Sequence, residues 1–248
     1  MQKLEPKAII FDLGSTLIEY EAVPWDELSA VCVAAARTEL VRKGISLPGQ
    51  EEFIAAFDQV RQAYRERAQS DLTEWNVLQV AAGLFEAIGV RYDEPLLQVF
   101  FDAYYVPVGE QLFAFEDTVP TLQTLRGQFP VIGLVSNTVF PEEAHLRELD
   151  RFGISPYLDF TLFSSTFKLR KPHPDIFYRA ANLAGYAPSE CVYVGDRYVE
   201  DVQGPNAVGM PAVLKVKPGR VYPDDMPAAV RRIDTLSGLL EHLENGVD

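Results

Sequence analysis

The sequence predicts an α/β protein: a Rossmann-like parallel sheet core with an inserted helical-bundle cap domain. Three observations support this fold class. Short apolar runs alternate with helical patterns near the N-terminus and again from about Gly109 onward. The segment between these parts contains helical patterns without a convincing strand. Several apolar runs end directly in polar side chains, which is typical of buried parallel strands that carry functional groups to the carboxyl edge of a sheet.

The first predicted strand covers residues 8–12 and ends in an acid. An unbroken apolar run, Ala8-Ile9-Ile10-Phe11, leads directly to Asp12 and then to small residues that include Gly14. A run of this length and composition fits a strand that is buried on both faces. Asp12 is therefore expected at the edge of the sheet where open α/β folds place their ligands.

The insert after this strand is predicted to be a small helical bundle at residues 20–106. Apolar residues recur at helical spacing, as at Phe53 and Phe57, and Gly44 and Gly89 end two of the helices. The predicted helices run roughly from Asp26 to Lys43, Glu51 to Ala68, Glu74 to Ile88 and Glu94 to Tyr105. Four such helices in sequence favour a bundle.

Strands and helices alternate again in the remainder of the chain. The predicted strands are 131–135, 158–163, 191–194 and 212–216, and helices are predicted at 119–126, 142–151, 174–184, 200–208 and 236–243. Short apolar strands separated by helices of this length favour a parallel sheet with right-handed crossovers. The sheet core is therefore assigned to residues 1–19 and 107–248.

Composition restricts the classes of function. The chain has 248 residues, with 36 acidic against 22 basic ones and a formal charge of −14, so binding to a nucleic-acid backbone is disfavoured. No apolar stretch reaches about 18 residues, so no membrane span is expected. Two cysteines do not make a disulfide framework, and the polar residues 1–7 do not resemble a signal peptide. A cytoplasmic protein, monomeric or homodimeric, is expected.

Polar groups in three later segments accompany Asp12. The segments are Ser136-Asn137 after the strand 131–135, Lys171 before Pro172 and a helix, and Gly195-Asp196 with Asp201 after the strand 191–194. Each alone has a plain structural interpretation, as a turn, a solvated charge or a helix cap. Their joint order at the ends of successive strands predicts one site.

These segments resemble the four motifs of the haloacid dehalogenase-like (HAD) hydrolase superfamily. The resemblance covers about residues 8–18 and 117–215, and the helical insert falls where that superfamily carries its first-type cap. It implies a Mg²⁺-dependent phosphatase that hydrolyses a small phosphorylated metabolite through an aspartyl-phosphate intermediate. The cap would close over the site and select the substrate.

The resemblance also implies the roles of individual residues. Asp12 would attack phosphorus, and Mg²⁺ would be held by Asp12, Asp196 and the carbonyl of Gly14. A hard cation of this kind prefers a few carboxylates, a carbonyl and waters. Asp201 would steer Lys171 or a metal-bound water.

Phosphoryl oxygens would be held by three further groups. By the resemblance these are the Ser136 hydroxyl, the Asn137 backbone and the Lys171 ammonium. Such donors stabilise charge where it develops in the transition state.

One position departs from the superfamily pattern. Its phosphatases usually carry a second aspartate two residues after the nucleophile, and here that residue is Gly14. Loss of a general acid-base typically costs about 10²–10⁴ in rate. Ser15 also replaces the usual glycine of the turn. The enzyme could act on leaving groups that need little protonation, take the proton from a cap side chain or water, or bind without turnover.

Other functions stay open at this point. L-2-haloacid dehalogenases of the superfamily also lack the second acid, but they need no metal and do not keep the Gly-Asp pair found here at Gly195-Asp196. A phosphonatase would need a cap lysine, and Lys43 at a predicted helix end is a weak candidate. A binding protein for phosphorylated metabolites is the alternative without catalysis. His145 and the other two histidines have no metal-ligand spacing.

Overall fold

A computed structural model of the chain describes residues 2–244, and it divides into two compact units. The first unit contains residues 2–19, the segment Phe113–Thr138 and residues 142–244. The second contains Tyr20–Leu112 and Val139–Pro141. No helix among residues 2–244 is long and apolar enough to span a membrane.

The first unit is built on a parallel sheet. The strands are β1 (Ala8–Phe11), β2 (Ile18–Glu19), β3 (Phe113–Ala114), β4 (Val131–Ser136), β5 (Phe160–Phe163), β6 (Cys191–Gly195), β7 (Ala212–Lys215) and β8 (Arg231–Ile233). Six of them form a sheet of order β5-β4-β1-β6-β7-β8 in which every neighbouring pair is parallel. Strands β2 and β3 pair antiparallel in a separate ribbon. The α/β, Rossmann-like fold predicted from the sequence is confirmed.

The central strand explains why its residues are uniformly apolar. All four residues of β1 have no exposed surface, because β4 and β6 flank the strand and both faces of the sheet are covered. In register, Ile10 lies between Gly133 of β4 and Tyr193 of β6. The carboxyl ends of these three strands therefore lie side by side.

Nine α-helices occur among the described residues. They are α1 (Trp25–Arg42), α2 (Gln50–Asp71), α3 (Val77–Ala87), α4 (Glu94–Gln111), α5 (Thr118–Arg126), α6 (Glu142–Arg151), α7 (Ser164–Phe167), α8 (Pro174–Ala184) and α9 (Gly204–Ala207). Short 3₁₀ turns cover Ser155–Tyr157, Pro188–Glu190 and Leu236–Glu241, and a π-helical turn covers Tyr198–Gln203. Helices α1–α4 form the second unit, and α5–α9 belong to the first.

Aromatic packing holds the helical unit together. The rings of Phe57 and Phe85 lie 6.0 and 5.9 Å from that of Phe100, and Tyr104 lies 5.7 Å from Phe57. Phe100 is fully buried and Tyr104 is 5% exposed. These aromatic residues form the interior of the bundle, where large buried rings contribute most of the apolar contact.

Helix α4 extends beyond its predicted end. The sequence predicted a stop before Pro107, but the helix continues to Gln111 with Pro107 inside it. Proline removes one helical hydrogen bond, yet Tyr104 and Val108 on either side of it are buried and hold the helix in place. The division between the units accordingly falls at Leu112, later in the chain than the expected boundary.

Four further elements differ from the sequence prediction. The predicted helix at 200–208 is a π-helical turn followed by the short α9, and the tail helix at 236–243 is a 3₁₀ turn. Strand β8 was not predicted, since this edge strand of sequence Arg-Arg-Ile lacks an apolar run. The β2–β3 ribbon was also missed because two-residue strands carry no periodic signal.

Candidate active site

Three adjacent strands deliver polar side chains to the same edge of the sheet. Asp12 follows β1, Ser136 ends β4 and Asp196 follows β6, and in the sheet order β1 lies between the other two. The amide of Asp12 donates to the Val194 carbonyl at 2.8 Å, which keeps the chain paired up to the acid. Asp12, Ser136 and Asp196 are all buried. The edge predicted from the sequence to carry the site therefore carries these groups.

Lys171 connects the cluster. Its Nζ donates to Asp12 Oδ1 at 2.7 Å, to Asp201 Oδ1 at 2.6 Å and to Tyr193 Oη at 2.8 Å. The side chain is only 2% exposed. Burial alone would favour a neutral amine, but the Asp12 and Asp201 carboxylates outweigh it and hold the pKa of Lys171 well above its usual range. Lys171 is therefore a buried ammonium shared by two carboxylates.

Asn137 fixes the backbone of Lys171. The Asn137 side-chain oxygen accepts from the Lys171 amide at 2.7 Å, and its nitrogen donates to the Lys171 carbonyl at 2.9 Å. The sequence analysis considered only the backbone of Asn137, as a phosphate donor. The structure shows that its side chain clamps the lysine segment to the end of β4.

Asp201 contacts the same lysine, and both of its carboxylate oxygens accept hydrogen bonds. Its Oδ1 accepts from Lys171, and its Oδ2 accepts from the Arg197 amide at 2.8 Å. Gly195 is needed for this approach, because a Cβ on Gly195 would lie 2.4 Å from the Asp201 carboxyl carbon. The position of the Asp201 carboxylate therefore depends on the absence of a side chain at Gly195.

Three carboxylates form a potential cation site. Asp12, Asp196 and Asp201 each offer an oxygen within 4.8 Å of the others. Burial raises the pKa of Asp12 to about 6, although the Lys171 ammonium opposes the shift. Burial, together with the Asp12 and Asp201 charges, raises the pKa of Asp196 to about 8. Asp196 Oδ1 is buried without a hydrogen-bond partner among residues 2–244. An all-oxygen donor set with an unpaired oxygen fits a hard divalent cation.

Gly14 and Ser15 form the turn that follows Asp12. Hydrogen bonds from the Ser15 amide to the Ile18 carbonyl and from the Ile18 amide to the Leu13 carbonyl enclose the half-buried Gly14. Ser15 has a φ of 59°, in the left-handed region that glycine adopts most readily. This explains why the superfamily pattern has glycine at the position of Ser15.

Charged side chains support the strained serine. Ser15 Oγ donates to Glu19 at 3.1 Å and accepts from Lys217 Nζ at 2.8 Å, and Lys217 also contacts Glu19 at 2.9 Å. Lys215 Nζ donates to the Ser15 carbonyl at 3.0 Å. These contacts offset the conformational cost of a non-glycine residue in this turn, which is of the order of 1 kcal/mol.

The loop after β7 contributes residues that the sequence analysis missed. An Nη1–H of Arg220 donates to Asp196 Oδ2, and the Tyr222 hydroxyl donates to the Asp196 carbonyl at 3.0 Å. This segment was predicted only as a loop. The available signal was three cations, Lys215, Lys217 and Arg220, close together in a strongly acidic chain.

His145 belongs to a separate buried network beyond Asn137. Its Nε2 lies 2.6 Å from Thr138 Oγ1, and its Nδ1 lies 2.9 Å from Glu148 Oε2. The ring stacks on Phe163 with centroids 5.1 Å apart. These contacts anchor the segment after Asn137 to helix α6.

The chain belongs to the haloacid dehalogenase-like hydrolases. The model of this hydrolase family matches residues 6–209, so the resemblance drawn from the motifs is confirmed and the protein is a hydrolase.

Relatives agree with this assignment over most of their length. The chain is 27% identical to a glyceraldehyde 3-phosphate phosphatase of Methanopyrus kandleri over 221 residues, which cover 89% of this chain and 88% of the relative. It is 30% identical to a phosphoglycolate phosphatase of Shigella dysenteriae over 226 residues, covering 86% and 82%.

Solved structures show the same fold. A HAD phosphatase from Thermococcus onnurineus matches with a TM-score of 0.64 and 27% identity, covering 96% of this chain and 98% of that one. A 2-haloacid dehalogenase from Pseudomonas syringae pv. Tomato matches with a TM-score of 0.67 and 22% identity, covering 95% and 97%. The second similarity is evidence for the fold alone.

Replacement of Lys171 tests its role as the shared counter-charge. Lys171→Met should lower the free energy of unfolding by about 3–5 kcal/mol, because it leaves Asp12 and Asp201 buried without their cation. Lys168→Met is the matched control, since the Lys168 Nζ donates to a backbone carbonyl, that of Ser165, at 2.8 Å and has no carboxylate partner among residues 2–244. Urea denaturation measures the free energy of unfolding of both variants. Similar losses would show that Lys171 is not the counter-charge shared by the two carboxylates.

The stability of the metal-free protein should depend on pH through Asp196 and Asp12. Their folded-state pKa values lie above the ordinary carboxyl value, so the folded protein holds more protons than the unfolded chain between about pH 4 and 8. Their contribution to stability therefore rises as the pH falls through about 8 and then about 6. Thermal unfolding in EDTA should show this trend.

Asp196→Asn isolates the upper part of this pH range. The variant should lose the decline in thermal midpoint between about pH 6.5 and 8.5, whereas the exposed Asp150→Asn should keep it. Mg²⁺ should raise the wild-type midpoint more at the higher pH, because protons compete for the same oxygens. Parallel curves for wild type and Asp196→Asn would contradict the shifted pKa.

Proposed function

We propose that this hydrolase is a Mg²⁺-dependent phosphatase of a small phosphorylated metabolite, with Asp12 as its nucleophile. The observation that carries the proposal is the buried cluster of Asp12, Asp196 and Asp201, in which Lys171 supplies a counter-charge and Asp196 Oδ1 has no partner among residues 2–244. The phosphatase names of the relatives from Methanopyrus kandleri and Shigella dysenteriae support the same reaction.

In the first step the Asp12 carboxylate attacks phosphorus, and the bond to the leaving oxygen breaks. This forms an aspartyl phosphate, which water then hydrolyses to release phosphate and restore Asp12. The amide of Asp12 is bound to β6 and its Oδ1 to Lys171, so the nucleophile is held in place before substrate arrives. Such positioning supplies much of the acceleration in phosphoryl transfer.

The remaining side chains manage the charge of the substrate. In this proposal the Lys171 ammonium, the Ser136 hydroxyl and the Asn137 backbone contact phosphoryl oxygens, while Asp201 keeps Lys171 charged and oriented. Mg²⁺, held by Asp12, Asp196 and the Gly14 carbonyl, would neutralise charge on the transferring group.

Phosphate release from defined substrates tests the proposal. With Mg²⁺, the purified protein should hydrolyse p-nitrophenyl phosphate and, more slowly because Gly14 supplies no acid, at least one of phosphoglycolate and glyceraldehyde 3-phosphate, the compounds in the names of its relatives. Asp12→Asn should reduce the rate by at least about 10⁴. Asp150→Asn, at an exposed position on α6, is the matched control and should retain the wild-type rate. Full activity in EDTA, or in Asp12→Asn, would contradict the mechanism.

The absence of an acid at Gly14 is also compatible with a second candidate function. An enzyme of this family without the second acid could instead attack carbon and release halide from an L-2-haloacid, a reaction for which no metal would be needed. Halide release from L-2-chloropropionate in EDTA, without phosphate release in Mg²⁺, would favour this candidate. Binding of phosphorylated metabolites without either reaction would favour a non-catalytic role.

Gly14 also predicts how the phosphatase responds to the leaving group. Without an acid at this position, aryl, acyl or anomeric phosphates should be turned over faster than alkyl phosphates, and phosphoenzyme should accumulate. Alkyl esters would be slow by about 10²–10⁴ relative to an enzyme that has the acid. The named substrates of the relatives are alkyl phosphates, so this prediction separates the chain from them.

Gly14→Asp and Gly14→Asn form the test pair. Gly14 does not have a positive φ, so its backbone conformation is open to both residues. Asp should restore alkyl phosphate hydrolysis and Asn, of equal size, should not. Rates measured against leaving-group pKa would be steep for the wild type and shallow for Gly14→Asp. A flat wild-type series would mean that another group already supplies the proton.

A further inference from the structure

The two carboxylate oxygens of Asp196 have different environments. Oδ2 accepts a hydrogen bond from Nη1 of Arg220, whereas Oδ1 is buried without a hydrogen-bond partner among residues 2–244. The whole Asp196 residue is only 1% exposed, so water does not freely solvate either oxygen. Oδ2 is therefore bound by the Arg220 guanidinium, whereas Oδ1 is left to bind a ligand.

Arg220 is held at this position by its surroundings. Its side chain is 16% exposed, and its Nη1 also lies 3.4 Å from the Asp196 carbonyl. Two residues further on, the Tyr222 hydroxyl donates to the same carbonyl at 3.0 Å and accepts from the Lys217 amide at 2.9 Å. The loop after β7 thus binds both the backbone and the side chain of Asp196.

Divalent cations differ in what they demand from a carboxylate. Mg²⁺ is small, keeps near-octahedral geometry at about 2.0–2.1 Å and takes one oxygen from each carboxylate. Ca²⁺ binds six to eight oxygens at about 2.3–2.6 Å and readily takes both oxygens of one carboxylate. A carboxylate with one oxygen already hydrogen-bonded therefore suits Mg²⁺ better than Ca²⁺.

We propose that Arg220 is a specificity-determining residue that restricts Asp196 to a single metal-binding oxygen and thereby makes the site select Mg²⁺ over Ca²⁺. The inference rests on the divalent-cation site of the proposed function. Arg220 contacts the side chain and the carbonyl of Asp196. It acts through Asp196, as hydrogen-bonding partners of metal ligands commonly do.

The effect of the Arg220 charge on metal affinity has to be distinguished from the effect of its hydrogen bond to Asp196. With all three carboxylates ionised, Asp12, Asp196 and Asp201 contribute three negative charges and Lys171 and Arg220 two positive ones, so the formal charge of the site is −1. Loss of the Arg220 charge changes the attraction for Mg²⁺ and Ca²⁺ alike, because both ions are divalent. The ratio of the two affinities therefore reports the geometry of Asp196.

Titration calorimetry of the purified 248-residue chain with MgCl₂ and with CaCl₂ measures this ratio without substrate. In Arg220→Met, loss of the positive charge should strengthen the binding of both ions, and Ca²⁺ should gain more than Mg²⁺ because it also gains access to Oδ2. The preference for Mg²⁺ should shrink by about tenfold or more. Arg220→Lys keeps a charge and one donor, so it should lie between Arg220→Met and the wild type.

Arg197→Met is the matched control for charge. Arg197 is exposed and acts on Asp196 through its charge, so its loss should change both affinities by the same factor. Thermal unfolding verifies that each variant is folded, and if Arg220→Met is not, the smaller shift in Arg220→Lys still measures the effect.

Three results would overturn the inference, and they differ in what else they reject. Equal changes for Mg²⁺ and Ca²⁺ in Arg220→Met would show that Arg220 acts by charge alone. A preference for Mg²⁺ that grows in that variant would show that Arg220 does not restrict Asp196 to one metal-binding oxygen. A wild type that binds neither ion would reject the cation site of the proposed function together with the inference.

Discussion

The arrangement of the site depends on one buried ammonium. The parallel strands bring Asp12 and Asp196 to a single edge of the sheet, and Asp201 packs against Gly195 beneath them. Buried carboxylates this close repel each other, and their ionised forms are costly without a counter-charge. Lys171 supplies that charge through bonds of 2.7 and 2.6 Å to two of them. The Asn137 clamp, the glycine at 195 and the Tyr193 hydroxyl all serve to keep this lysine where it is.

Much of the sheet and of the acidic cluster could be predicted because both follow from local sequence. A strand buried on both faces has to be apolar throughout, so the runs that end at Asp12, Ser136 and Gly195 were visible as strands and as strand ends. Adjacent parallel strands then place their last residues together. Helix ends were less predictable: Pro107 signals a stop locally, whereas packing of the bundle carries the helix past it.

The loop residues could not be predicted, for a different physical reason. Arg220 and Tyr222 reach Asp196 from a segment without periodicity, and their direction depends on the path of the loop after β7. The second function of Asn137 depends in the same way on the distant segment that carries Lys171. Sequence can indicate that such residues are cationic or polar, but it does not contain the distance between two loops.

The turn after Asp12 shows how charge and backbone conformation are linked in this protein. An acid at position 14 would add a negative charge beside a cluster that is already −1 with Lys171 and Arg220 included. Next to it, Ser15 keeps a left-handed backbone because Glu19, Lys215 and Lys217 bind its hydroxyl and carbonyl. These lysines place positive charge at the residue that follows Gly14. Position 14 therefore separates Asp12 of the acidic cluster from the lysine-bound Ser15 in sequence, and its glycine adds no ionisable group to either.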